Sequence, residues 1–278
     1  MSGRLTFVAV PIGNARDITL RAMDVLRDAD VLAAEDTRAL RRLMEIHGIA
    51  LNGRRIQAYH EHNGDKARPA LLEALARGQF VAYASEAGTP LISDPGFDLS
   101  RAAVEAGAQV DAAPGASAVL TALTVAGLPT DRFLFAGFLP SAAGARRAML
   151  QELAQVPATL VFYESPHRIA ASLAQMSEVL GPNRASALCR ELTKKFEDVR
   201  RGSLEDLVQS VQAHPPKGEI VVVVDRAHSE VVDDLDIETT LRDALQRVSV
   251  RDAAEEVAGI FGLKKRDVYQ LALKLMKD

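Results

Sequence analysis

Residues 80–96 read FVAYASEAGTPLISDPG, and their types concentrate ligand chemistry in one place. Residues 80–85 are an apolar run of buried-strand length. The run breaks at Glu86-Ala87-Gly88-Thr89-Pro90 and again at Ser93-Asp94-Pro95-Gly96. Gly88 lets the backbone close around a bound group, while Pro90 and Pro95 stiffen the path and remove donors. Acids and small hydroxyls therefore follow a strand, and ligands of open α/β sheets bind off the carboxyl ends of strands. Three other strand-like runs end in polar clusters: 5–10 in Pro11-Ile12-Gly13-Asn14, 31–34 in Glu35-Asp36-Thr37-Arg38, and 55–59 in His60-Glu61-His62-Asn63.

The glycine spacing narrows the ligand. There is no G-x-x-x-x-G-K-[ST] and no G-x-G-x-x-G after a first strand, so neither a nucleoside triphosphate nor a dinucleotide is expected. One cysteine, Cys189, provides no zinc set, and His60 and His62 lack a third ligand, so no metal is expected. A nucleophile elbow, G-x-S-x-G, is missing as well. What remains suits a ligand held by backbone groups and small side chains, with acids beside a positive centre or an amino group. S-adenosylmethionine carries both and has no phosphate.

The elements that must position these residues follow from periodicity. Helical spacing of Ala22, Met23, Leu26 and Ala29 follows Thr19, and a basic helix carries Leu40, Leu43 and Met44 inward. Further helices precede residue 80 and follow Gly96; a strand over 109–113 leads through Pro114-Gly115-Ala116-Ser117 into a helix ending at Gly127. Strands alternating with helices predict a mainly parallel sheet covered on both faces. Leu128-Pro129-Thr130 reads as a linker, and a second α/β series follows with strands at 133–138, 159–164, 185–190 and 219–224. Two α/β domains, 1–127 and 131–226, are therefore expected. Residues 229–278 begin acidic and carry no strand signal. They read as about three helices, the last pair joined at Gly262-Leu263, with Lys264, Lys265 and Arg266 opening the final one: a helix-turn-helix pattern.

The totals bound the class. The chain has 278 residues, 48% hydrophobic and 25% charged, with a net charge of −4. Contact with a polyanion must then come from local patches: Arg38-Arg41-Arg42, Arg146-Arg147, Lys194-Lys195, Arg200-Arg201 or Lys264-Lys265-Arg266. A lone cysteine fits a reducing cytoplasm, and no run is long enough for a membrane span.

Seven segments in order, VAVPIGNARDIT, EDTR, SEAGTPLISDPG, PGASA, FYESPHR, RELTKKFE and KGEIVVVV, resemble the rRNA-methylating branch of the tetrapyrrole (corrin/porphyrin) methylase superfamily. The resemblance covers about residues 5–225, and the tail is similar to the extra helix-turn-helix of that branch. It implies two α/β domains with a cofactor cleft between them (a class III methyltransferase-like fold) plus a small C-terminal all-helical domain. It also implies an S-adenosylmethionine-dependent enzyme that methylates the ribose 2′-hydroxyl of a cytidine in small-subunit rRNA, either as free RNA or in the 30S subunit, and a homodimer. Carried over residue by residue, the cofactor site takes Pro11 and Gly13, then Glu86, Gly88, Thr89 and Pro90, then Ser117 and Ala118, and from the second domain Tyr163, Lys217 and Gly218. The family usually has Asp where Glu86 stands, which bears on a direct carboxylate contact but not on the backbone cradle.

A ribose hydroxyl is a weak nucleophile, so a nearby base would help; the candidates are Glu35, Asp36, His60, His62 and Glu164. Glu35-Asp36 reads equally as a helix cap. Arg38, Arg190 and Lys194 could hold the RNA backbone, with Arg190-Glu191 open to reading as a structural ion pair. Two alternatives stand beside this: a methylase of a small macrocycle, and a non-catalytic nucleic-acid-binding regulator working through the tail.

Overall fold

The computed structural model describes residues 3–92, 96–227, 234–261 and 264–276. Ser93-Asp94-Pro95 and the Gly262-Leu263 turn lie outside the described residues. The chain divides into two compact units, Met1–Arg226 and Ala227–Asp278.

The first sheet contains β1 (Arg4–Val8), β2 (Val31–Ala34), β3 (Ile56–Ala58), β4 (Phe80–Ala84) and β5 (Gln109–Ala113) in the order β3-β2-β4-β1-β5. Every pairing is parallel, as the alternation with helices predicted. Parallel crossovers put helices on both faces, and side chains alternate to feed two cores. Val8, Leu26, Leu32, Met44 and Ala82 fill one face, and Leu5, Phe7, Leu71, Tyr83 and Leu99 the other. The covering helices are α1 (Leu20–Asp28), α2 (Thr37–Ile46), α3 (Gly64–Ala76) and α4 (Phe97–Glu105), and α5 (Ala118–Ala126) follows β5. Thr19 caps α1 by accepting from the Ala22 N–H at 3.1 Å, matching the start read from sequence.

The second sheet departs from a parallel pattern. Its strands are β6 (Phe133–Phe138), β7 (Thr159–Glu164), β8 (Ala185–Arg190), β9 (Asp198–Ser203) and β10 (Ile220–Val224), ordered β6-β7-β10-β8-β9. Only β6 and β7 pair in parallel; β10 runs antiparallel to both neighbours, and β8 to β9. Strand β9 was not predicted, because DVRRGS is charged and has little β-propensity. It is an edge strand joined to β8 by seven residues, too few for a parallel crossover. The Arg200-Arg201 patch is consumed here: Arg200 binds Asp198 and the His214 carbonyl, and Arg201 the Val125 carbonyl. Helices α6 (Ala143–Leu153), α7 (Ile169–Leu180) and α8 (Leu204–Ala213) complete this layer.

Helix α5, AVLTALTVA, is apolar almost all round, and its buried side chains rest on the second sheet. Val119, Ala122, Leu123 and Ala126 pack with Ala187, Cys189, Val221 and Val223. Cys189 serves as core filling, and burial pushes its thiol up to about 11. The unit Ala227–Asp278 holds α9 (Asp234–Leu245), α10 (Val250–Phe261) and α11 (Lys265–Leu275) around Leu241, Ala254, Val257, Val268 and Ala272. Among the described residues no helix is long and apolar enough to cross a membrane.

Candidate active site

The loops leaving β1, β4 and β5 converge. Val10 and Gly88 form an isolated antiparallel bridge, each N–H donating to the other's carbonyl at 2.9 and 3.0 Å. Ser85 Oγ donates to the Gly88 carbonyl at 3.2 Å, and Thr89 Oγ1 donates to the Ala116 carbonyl at 2.9 Å. Gly88 sits at φ +73°, where a side chain is strained, and a Cβ there would lie 3.1 Å from Ile12 Cγ2. From the second sheet come Tyr163 and Glu164 at the end of β7, and Gly218-Glu219 entering β10. Tyr163 is packed edge-on against Phe135 and Phe138, with ring centroids 4.8 and 5.5 Å away.

These segments line a cavity of about 480 Å³, whose walls include Ile12, Glu35, Glu86, Gly88, Thr89, Ser117, Ala118, Phe138, Tyr163, Glu164, Gly218 and Glu219. No lining residue is Lys or Arg, while four carry carboxylates. Such a cavity repels phosphate and suits a cation with an apolar body. The glycine cradle, the apolar walls and the acidic rim fit S-adenosylmethionine.

Outside the cavity the two layers are clasped together. Gly13 approaches Thr193 and Lys194 so closely that a Cβ would collide with the lysine stem, and the Asn14 N–H donates to Thr193 Oγ1 at 3.1 Å. Glu191 and Thr193 adopt φ +50° and +66°. A β-branched residue there is a backbone outlier storing about 1–3 kcal/mol, of the kind that gathers at functional sites. Lys194 Nζ lies 3.0 Å from Glu191 and 2.9 Å from Glu219. Burial alone would lower its pKa, but its bonds to Glu219 and Glu191 outweigh that and hold it above the usual lysine range.

Comparison with known proteins agrees with this geometry. Residues 4–208 match the tetrapyrrole (corrin/porphyrin) methylases, and residues 231–276 match the domain described as the RsmI C-terminal HTH domain. A relative from Mesorhizobium japonicum called ribosomal RNA small subunit methyltransferase I is 48% identical, over 98% of this chain and 92% of its own. The protein of that name from Escherichia coli O157:H7 is 42% identical over 98% and 95%. The chain belongs to the ribosomal RNA small subunit methyltransferase I family, within the tetrapyrrole methylases. Like the family, it is a methyltransferase whose methyl donor is S-adenosylmethionine. Among solved structures, the methyltransferase CobJ superposes with TM-score 0.62 at 21% identity, covering 81% of this chain and 95% of CobJ. Uroporphyrin-III-C-methyltransferase from Thermus thermophilus gives 0.56 at 24%, covering 80% and 94%. These two share the fold.

Of the cofactor residues carried over from the family, Glu86, Gly88, Thr89, Ser117, Ala118, Tyr163 and Gly218 line the cavity. Pro11 and Gly13 line an adjoining groove. Pro90 is buried behind the loop, and Lys217 is represented by its carbonyl, which accepts from Arg190 Nε at 2.6 Å. The site residues drawn from sequence omit Ile12 and Phe138; an apolar residue inside a polar loop or at a strand end carries no signal of what it faces.

The five candidate bases separate sharply. Glu35 and Glu164 line the cavity; Asp36, His60 and His62 do not. The two histidine rings lie edge-on to each other, 6.1 Å apart, and among the described residues no group of three metal-binding side chains exists. Asp36 caps α2, accepting from the Arg38 and Ala39 N–H groups at 2.7 and 3.1 Å. Hydrogen bonds from Ala39 and then Arg38 hold its carboxyl below the usual range. Its contribution is therefore present above its unfolded pKa, about 3.9, and is lost as pH falls through the lower folded value. Asp36→Ala should cost about 1 kcal/mol in urea unfolding at pH 7 and leave cofactor affinity unchanged; a lost affinity would give Asp36 a part in the site.

Glu164 is buried and its oxygens are taken: Ser172 Oγ donates at 2.5 Å, the Ser165 N–H at 2.8 Å and Arg168 at 3.4 Å. Glu164→Ala should lower stability by about 3 kcal/mol, read by thermal melting, because Ser172 and Arg168 lose a buried partner. Arg168 keeps 32% of its side chain exposed, which holds the cost towards the low end of buried pairs. A melting temperature like that of the unaltered chain would return Glu164 to the candidate bases.

Proposed function

We propose that this chain transfers a methyl group to the ribose 2′-hydroxyl of a cytidine in small-subunit rRNA, acting in the cytoplasm on the 30S subunit or its RNA. One observation carries the reading: relatives named ribosomal RNA small subunit methyltransferase I match at 40–48% identity across both the cavity-bearing unit and the helical tail. CobJ and the uroporphyrin-III-C-methyltransferase share the fold at 21–24% identity, which supports no substrate. The boundaries 1–127, 131–226 and 229–278 and the homodimer are part of the same proposal, and sedimentation equilibrium tests the latter.

When bound, S-adenosylmethionine supplies a methyl group activated by its sulfonium. The chain then has three tasks. The Val10–Gly88 bridge and the turn before α5 hold the donor's body through backbone groups. The apolar walls exclude water, so that orientation of the acceptor oxygen supplies most of the rate. Glu35 accepts the hydroxyl proton as the new carbon–oxygen bond forms: one of its oxygens is fixed by the Glu86 N–H at 3.0 Å, and it lies in the cavity wall. Arg190, bound to the Lys217 carbonyl, and Lys194, held by two acids, position the pocket's second-sheet side, and any RNA contact they make is added to that task. Among the residues opening the last helix, Lys265 pairs with Glu255, whereas Lys264 and Arg266 have exposed side chains for RNA.

The test is transfer of labelled methyl from S-adenosylmethionine to small subunits lacking the modification, followed by nuclease digestion. Label on a cytidine 2′-oxygen supports the reading. No label on RNA, with cofactor bound, overturns it.

A further inference from the structure

We infer that the groove beside the cofactor cavity, between the first loop and α2, holds the nucleotide next to the methylated one, with the arginines of α2 on its phosphates. This rests on the rRNA reading above and adds a subsite to it. The groove has a volume of about 330 Å³, and Pro11, Gly13, Ala39, Leu43 and Ile46 form its sides. It is continuous with the cavity, since Ile12, Glu86 and Ala87 line both. His47 Nε2 lies 2.8 Å from the Ala15 carbonyl, tying the end of α2 to the first loop and setting the groove's width.

Charge sets this face apart from most of the other basic clusters. The basic pairs read from sequence are mostly committed inside the fold. Arg146 is buried against Gln175, Arg147 pairs with Glu178, Lys194 with two acids, and Arg200 and Arg201 hold carbonyls. On α2, by contrast, no carboxylate pairs with Arg41 or Arg42 among the described residues. Arg38 is 93% exposed and touches Asp36 only at 3.8 Å. Arg42 is the one basic residue lining either recess among the described residues, and Arg38 sits one helical turn before it.

An acid-lined cavity beside an arginine-edged apolar groove sorts its two ligands by sign. The cation goes to the acids and the polyanion to the arginines. A single-stranded nucleotide fits such a groove, because its phosphate pairs with guanidinium and its unstacked base lies against an apolar wall or an arginine plane. Ile46, 51% exposed on that wall, is otherwise an unexplained apolar side chain facing solvent.

The experiment uses the full chain with a fluorescein-labelled, cytidine-rich single-stranded RNA, followed by anisotropy across a salt series. The double variant Arg41→Ala/Arg42→Ala should bind about tenfold more weakly or worse, with the salt slope reduced by about 1.4, roughly 0.7 for each phosphate no longer neutralised. Ile46→Glu should weaken binding too, while S-adenosylmethionine affinity by calorimetry stays that of the unaltered chain in both. RNA affinity and slope unchanged in the double variant, or no RNA binding by the unaltered chain, would overturn the groove. Methyl transfer is scored separately. RNA bound through the arginines without transfer sinks the reaction and leaves the groove; transfer with indifferent variants sinks the groove and leaves the reaction.

Discussion

Replacing Gly88 by valine is expected to reduce S-adenosylmethionine affinity at least a hundredfold while the chain stays folded. At φ +73° a β-branched residue is a true outlier, storing about 1–3 kcal/mol of backbone strain. Its Cβ would also meet Ile12 Cγ2 at 3.1 Å, so Ile12, which lines the cavity, would have to shift by a few tenths of an ångström. Relief requires opening the Val10–Gly88 bridge, which removes two hydrogen bonds and moves both loops that cradle the donor. The loss is comparable to one strained loop and falls short of a typical domain stability of about 5–15 kcal/mol, so circular dichroism should remain native. Gly88→Ala should fall between the two, since its added atom brings the strain and the 3.1 Å contact but no branch. Calorimetric titration decides: valine binding like glycine would place the donor elsewhere.

Glu35→Gln is expected to lower kcat by about 10²–10⁴, the usual worth of a positioned base, with the donor's Kd changed only a few-fold. The amide oxygen of glutamine can still accept from the Glu86 N–H, so the loop geometry survives while the capacity to take a proton does not. Glu35→Ala should add a loss of donor affinity, because the Glu86 N–H then loses its partner. Single-turnover methyl transfer with saturating donor separates the two effects. A kcat for Glu35→Gln within a few-fold of the unaltered rate would leave orientation alone as the source of rate.

The two variants also mark the limits of reading by sequence. Gly88 was legible, because a glycine followed by Thr-Pro directly after a strand turns the backbone sharply, and the loop proved to need its positive φ. So were the parallel first sheet, the helix start at Thr19 and the helical tail, since each follows from periodicity and local hydrogen bonding. Strand β9 was not legible: a charged edge strand takes its conformation from pairing with β8, across a turn whose positive-φ residues, Glu191 and Thr193, give no local warning.

The functional side chains divide along the same line. Glycine spacing spoke against a nucleoside triphosphate or a dinucleotide, and the residue types suited a ligand with a positive centre, because those are statements about which groups exist. Which acid faces the ligand was a different kind of question. Glu35, Asp36 and Glu164 are equivalent in sequence, yet one lies in the cavity wall with an oxygen bound to the Glu86 N–H, one caps α2 and one is saturated by Ser172, Ser165 and Arg168. The basic clusters were equally alike until packing neutralised most of them and spared those on α2 and, at the start of the last helix, Lys264 and Arg266. Local sequence determined every strand but β9, and the loops that follow them. Only long-range packing decided which charges were left uncommitted, because a side chain's partners come from segments distant in the chain.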